Sequence, residues 1–185
     1  MNLFLPKTLR QTLLGITALC SLSACQITTP NADEQFTQVA QSIVQYRESI
    51  NPYSSSKGVD GYLLANLSPE FLAEQYKSNT QLLADLDAVD ATKLSDENQI
   101  NLSIIRAQVQ NSVDEYVFNA HYMPLTSEYG FHSGLSYIVN SSQYKKEQDL
   151  ETYLARLAQI PRFFEQNIYW MKKGLETGLT NQKQC

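Results

Sequence analysis

The apolar positions of this chain fall into helical stripes, and the most informative of them lie between Asp149 and Thr180. Leu150, Tyr153, Leu154, Leu157 and Ala158 recur at i, i+3, i+4, i+7 and i+8, which draws one apolar line down a helix face. Asp149 is placed to cap the start of that helix. At Ile160-Pro161 the helix must stop, because proline lacks an N–H and its ring disfavours the α conformation at the residue before it. Pro161 then suits the first turn of a second helix, in which Phe164, Ile168, Met171 and Leu175 repeat on one side. Lys172 and Lys173 sit near its C-terminal carbonyls, and Gly174 and Gly178 offer left-handed exits.

Three more helices precede this pair. Asp33 opens the first, with Phe36, Val39, Ala40, Ile43 and Ile50 on one face, ending before Asn51-Pro52. Residues Asn51 to Gly61 are rich in turn formers and read as loop. Ser68-Pro69-Glu70 joins an N-cap, a first-turn proline and an acid at the positive helix end. The helix that follows carries Leu72, Tyr76, Leu83 and Leu86, with Asn79 interrupting the stripe and expected to bond a neighbouring helix. Leu94-Ser95-Asp96-Glu97 reuses the same capping chemistry and opens a third helix to about Ala120. Its first face bears Leu102, Ile105, Val109, Val113, Tyr116 and Ala120. Ile100 and Ile104 form a second, which predicts packing on both sides. Periodicity fails from His121 to Lys146, where Pro124, Gly130 and Gly134 punctuate an aromatic loop. The expected fold is all-α: a bundle of about five helices with one long aromatic loop, and part of a larger helical fold.

The first residues change the setting. Lys7 and Arg10 precede an apolar run, and Leu22-Ser23-Ala24-Cys25 follows it. This is a secretory signal, too short for a membrane span, and its end resembles the bacterial lipobox, whose cysteine is acylated. The chain therefore divides into a lipoprotein signal peptide at 1–24, a tether at 25–32 and a helical domain at 33–185. Acyl chains on Cys25 would hold the domain at a bilayer, at about 0.8 kcal/mol per buried methylene. By analogy with enteric lipoproteins, Gln26 in place of an aspartate favours the periplasmic face of the outer membrane. The chain carries 14 Lys and Arg against 19 Asp and Glu, and Lys7 and Arg10 leave with the signal. With no basic patch to displace counterions, nucleic acid is excluded as a partner. Once Cys20 is removed and Cys25 acylated, only Cys185 remains, so no internal disulfide forms.

Little in the chain speaks of catalysis. His121 and His132 are its only histidines, and zinc needs three or four ligands, commonly two of them at short spacing. No His-x-x-x-His, His-Glu-x-x-His or paired cysteines occur, and Ser133 lacks a nucleophile elbow. No catalytic, cofactor-binding or metal residue is assigned, and no cofactor is expected for this chain. The candidate groove residues are His121, Tyr122, Tyr129, His132 and Tyr137, all in the long loop, because a loop this aromatic either packs on the core or serves a binding surface.

Leu67-Ser68-Pro69-Glu70, the stretch from Leu82 to Val109, Tyr153-Leu154-Ala155-Arg156-Leu157 with Ile160-Pro161, and Met171 to Thr180 together resemble the N-terminal part of the bacterial proteins catalogued as domain of unknown function 885. The resemblance implies a largely helical exported protein, often a lipoprotein, longer than one core normally supports. It also implies a C-terminal half similar to zinc metallopeptidases of the His-Glu-x-x-His type. This sequence ends at Asn181-Gln182-Lys183-Gln184-Cys185, before any such motif, so the expectation is a chain truncated ahead of the zinc-binding half and inactive alone. Zinc belongs to the full-length relatives only. The implied partners are the membrane through its lipid, the missing half if separately encoded, and a peptide or protein. The other reading is a free-standing periplasmic helical module that binds a peptide or partner protein.

Overall fold

The structure, a computed structural model, describes residues 31–54, 58–59, 61–126, 128–135 and 145–180. The signal region, Cys25 and Tyr137 lie outside them. The described chain is all-α: α1 Ala32–Ile50, α2 Pro69–Asp87, α3 Asp96–Val117, α4 Glu147–Ala158 and α5 Ile160–Thr177, with short 3-10 turns at Ala91–Lys93 and Ala120–Tyr122. Gln159 alone separates α4 from α5, so the pair counts as one interrupted rod. The bundle is thus nearer four rods than the five expected.

Capping chemistry decides where these helices begin. Ser68 and Ser95 each accept a backbone N–H at the start of α2 and α3, as their serine-then-acid sequences imply. At α1 the cap is Asn31 and not Asp33: Asn31 accepts from the Glu34 amide while the Glu34 carboxylate takes the Asn31 N–H, a reciprocal capping box. The helix therefore starts at Ala32, inside the stretch expected as tether. Asp33 is instead free to receive Asn98 Nδ2 at 2.8 Å and the amide and hydroxyl of Ser95 at 3.2 and 3.1 Å. Those bonds, Asn98's first, hold its carboxyl below the usual carboxylate range. They also tie the start of α1 to the start of α3. Asp149 likewise acts one turn in from where it was expected, accepting the amides of Lys145 and Lys146.

Near these tied ends, α1, α2 and α3 enclose Phe36, Ile43, Leu86, Val89, Leu94, Leu102 and Val109. Each such side chain contributes roughly 1.5–3 kcal/mol when fully buried. The second face of α3 does not behave as expected, since Ile100 and Ile104 are 61% and 51% exposed. No described element covers that side. On the α4 and α5 stripes, Leu150, Leu154, Ile168 and Leu175 are exposed, whereas Tyr153, Leu157, Phe164 and Met171 are half-buried.

One face of α5 is used through polar side chains. Residues 61–67 run past it without regular structure, and side chains of α4 and α5 take up their backbone groups. Arg156 Nε donates to Leu63 O at 3.0 Å, and Gln159 accepts the Leu63 amide at 2.8 Å while giving Nε2 to Gly61 O at 2.7 Å. Arg162 donates to Leu64 O and Ala65 O at 3.2 and 3.1 Å, with its guanidinium 4.4 Å from the Tyr62 ring. Gln166 accepts the Leu67 amide at 3.0 Å, and Trp170 Nε1 donates to Leu67 O at 2.7 Å. Gln159, just before α5, and residues 162, 166 and 170 within it follow helical spacing, so one stripe reads an extended stretch of backbone.

Two glycines of α5 play different parts. Gly178 caps the helix at φ 76°, the left-handed exit that glycine favours. Gly174 was expected as another exit but stays helical and buried, because a Cβ there would stand 2.7 Å from Leu179 O and 3.0 Å from Tyr122 O. Gly174→Ala should therefore destabilise by about 1–3 kcal/mol despite the better helix propensity of alanine. Urea unfolding decides it: a variant as stable as the parent or more so would mean that the turn after α5 yields freely.

Candidate ligand cleft

At the end of the bundle away from the apolar core, the same three helices are lined differently and leave a cleft of about 450 Å³. From α1 come Tyr46, Arg47 and Ile50; from α2, Leu72, Gln75, Tyr76 and Asn79; from α3, Ser112, Glu115 and Tyr116. Leu67 and His121 also line it. Both are set by α5, Leu67 through its bonds to Gln166 and Trp170, and His121 through the Trp170 ring, which meets it edge-on at 4.4 Å.

One wall is an aromatic ladder. Tyr76 and Tyr116 stack at 4.7 Å, and Tyr116 and His121 at 5.6 Å. Tyr122 stacks on Trp170 at 5.4 Å, and both rings meet His121 edge-on. The ladder turns from α3 into the 3-10 turn through Asn119, which holds the left-handed φ of 56°, a conformation asparagine tolerates better than most residues. The side chains of Gln75 and Asn79 face this space without a hydrogen-bond partner among the described residues. Asn79 does not bond a neighbouring helix, as its place in the α2 stripe suggested; it lines the cleft. Arg47 Nη1 bonds Gln108 at 3.2 Å and Glu115 bonds Asn111 at 3.1 Å, so a cation and an anion stand at the mouth. Tyr46 presents its ring here. Its hydroxyl is buried without a hydrogen-bond partner, lies toward Ser78 and Glu74, and is harder to ionise because burial disfavours the phenolate.

Of the four described residues among those expected from the loop, His121 alone lines this cleft, and Tyr137 lies outside the described residues. Tyr122 belongs to its supporting stack and borders a separate apolar hollow with Met171 and Leu175. His132 is exposed beside Phe131, which packs on Phe163 and Phe164, and Tyr129 is 73% exposed in a turn closed by Thr126. The two histidines are thus not brought together. Among the described residues no three His, Cys, Asp or Glu side chains stand close enough to hold a metal ion. Sequence reading missed Gln75, Tyr76, Asn79, Arg47 and Glu115, which lie on regular helices. The interrupted stripe at Asn79 was the signal that could have found them.

The family model described as bacterial protein of unknown function, DUF885, matches residues 53–184. The chain belongs to this family. All the cleft's elements except α1 fall within the match. No curated protein and no solved structure matches the chain.

Burial pushes the His121 imidazole below its ordinary pKa of 6.5, since a charged ring is poorly solvated among Tyr116, Tyr122 and Trp170. A histidine with a lowered folded pKa binds fewer protons folded than unfolded. Its stabilising contribution is complete above about pH 6.5 and is lost as pH falls from there through the folded pKa. Replacing it by an aromatic that cannot titrate, His121→Phe, should flatten the fall in thermal midpoint on acidification below pH 6.5. An unchanged slope would show that other groups govern that window.

Proposed function

We propose that this DUF885 chain is the helical N-terminal portion of a lipid-anchored protein on the periplasmic face of the outer membrane, and that it seats a peptide without cutting it. The observation that carries this reading is the cleft: aromatic faces, unused amides and opposite charges around a volume suited to a small ligand, with no metal-binding donor set beside it among the described residues. Catalysis of the metallopeptidase kind would then need metal ligands beyond those that the described residues bring together. The free-standing alternative, a helical module for a peptide or partner protein, draws support from the apolar core within α1 to α3.

Attachment through lipid rests on the basic, apolar and Leu-Ser-Ala-Cys series at the start of the sequence. No helix among the described residues is long and apolar enough to cross a membrane. Several acyl chains on one residue would give stable anchoring where a single chain gives only marginal binding. Labelling cells with a radioactive fatty acid tests this. The parent should carry label and sediment with membranes, and Cys25→Ser should lose at least nine-tenths of it, on the order expected when the sole acceptor is removed. Equal labelling of the two, or parent protein free in the periplasmic fraction, would overturn the anchored reading.

A further inference from the structure

The mouth of the cleft carries one positive and one negative group, and their spacing is set by a single helix. Arg47 is held to α3 at Gln108 by its 3.2 Å bond, and Glu115 stands at i+7 from Gln108, on the same face. Seven residues of helix rise cover roughly 10 Å. An extended tripeptide spans about the same length, at 3.3–3.6 Å per residue. Between the two charges along α3 lies Ser112, with the Tyr116 ring beside Glu115, and the cleft is also lined by Gln75 and Asn79 at i and i+4 on α2. The two free side-chain amides each offer a donor and an acceptor, which suits peptide groups. Tyr76 and Tyr116 add apolar faces for a side chain.

From this juxtaposition we infer that the cleft selects short peptides with free ends, about three residues long, the carboxylate toward Arg47 and the ammonium toward Glu115, with an aromatic or apolar side chain against Tyr76 and Tyr116. The inference rests on the peptide-seating reading and adds which end each charge takes. It makes ligand length a recognised property. A longer chain puts its ammonium beyond Glu115, and an internal segment of a protein offers neither charge. Arg47 and Glu115 are exposed, so each discriminates by a modest charge-assisted hydrogen bond, on the order of tenfold in affinity.

The sole tryptophan of the sequence, Trp170, contacts His121 at the cleft wall, so its fluorescence reports occupancy. The experiment titrates the full chain in detergent with Ala-Tyr-Ala in four forms: free, N-acetylated, C-amidated and doubly blocked. The free form should bind best, each single block should weaken binding about tenfold, and the double block about a hundredfold. Arg47→Gln should erase the preference for a free carboxylate while keeping that for a free ammonium, and Glu115→Gln should do the reverse. Equal binding of all four forms would overturn the assignment of the termini and leave the peptide reading standing. No binding by any form, with the helical circular dichroism intact, would overturn both. Loss of both preferences in either single variant would show a folding defect and not end-recognition, and would also sink the assignment.

Discussion

An extended segment lying against a helix has no partner for its amides and carbonyls, because the helix has spent its own backbone groups internally. In this protein the deficit is met by side chains. Gln159, Arg162, Gln166 and Trp170, with Arg156 just before them, satisfy backbone groups of residues 61–67 one after another. Left unpaired when buried, such groups cost about 1–3 kcal/mol each. The seam is therefore what fixes the path between α1 and α2, and Leu63 and Leu64 can be among the most buried residues of the chain only because their backbone is satisfied. Arg162 accepts a cost for this: burial lowers its pKa, and its Nε is buried without a partner.

The cleft follows from the same constraint. Trp170 closes the seam at Leu67 and touches His121, so one side chain of α5 positions both the segment entering α2 and the turn leaving α3. Between these fixed points the bundle ends in tyrosines and amides, where its other end is filled by leucine, isoleucine and phenylalanine. Tyrosine rings keep the helices apart and leave space that aliphatic side chains would have closed. The tied helix starts at Asp33 and the polar cleft are thus opposite ends of one three-helix unit, rigid at one and open at the other.

Much of the helical frame could be read from the sequence because its signals are local. Ser68-Pro69-Glu70 and Ser95-Asp96-Glu97 begin helices where they stand, and Gly178 ends one. Ile160-Pro161 marks the interruption to within a residue. What could not be read depends on contacts distant in sequence. Gln159, with Arg162 and Gln166 of α5, looks like an ordinary solvated face, and only residues some hundred positions earlier turn that face into a binding stripe. Ile100 and Ile104 look like core but lie exposed, since periodicity records an apolar face and not whether anything meets it. The aromatic loop drew attention as a binding region by composition, yet of its candidate residues that are described, His121 alone reaches the cleft. The groups around His121 sit on helices whose spacing suggested structure alone.

Hydrogen exchange at two backbone amides tests the seam most directly. Leu63 and Leu67 lie outside any helix, and their amides donate only to the side chains of Gln159 and Gln166. If those bonds organise the segment, both amides exchange as slowly as the interior of α2, and Gln166→Ala accelerates Leu67 by at least about tenfold while leaving the α3 core protected. Exchange of Leu63 and Leu67 at the rate of an open loop in the parent protein would contradict the account.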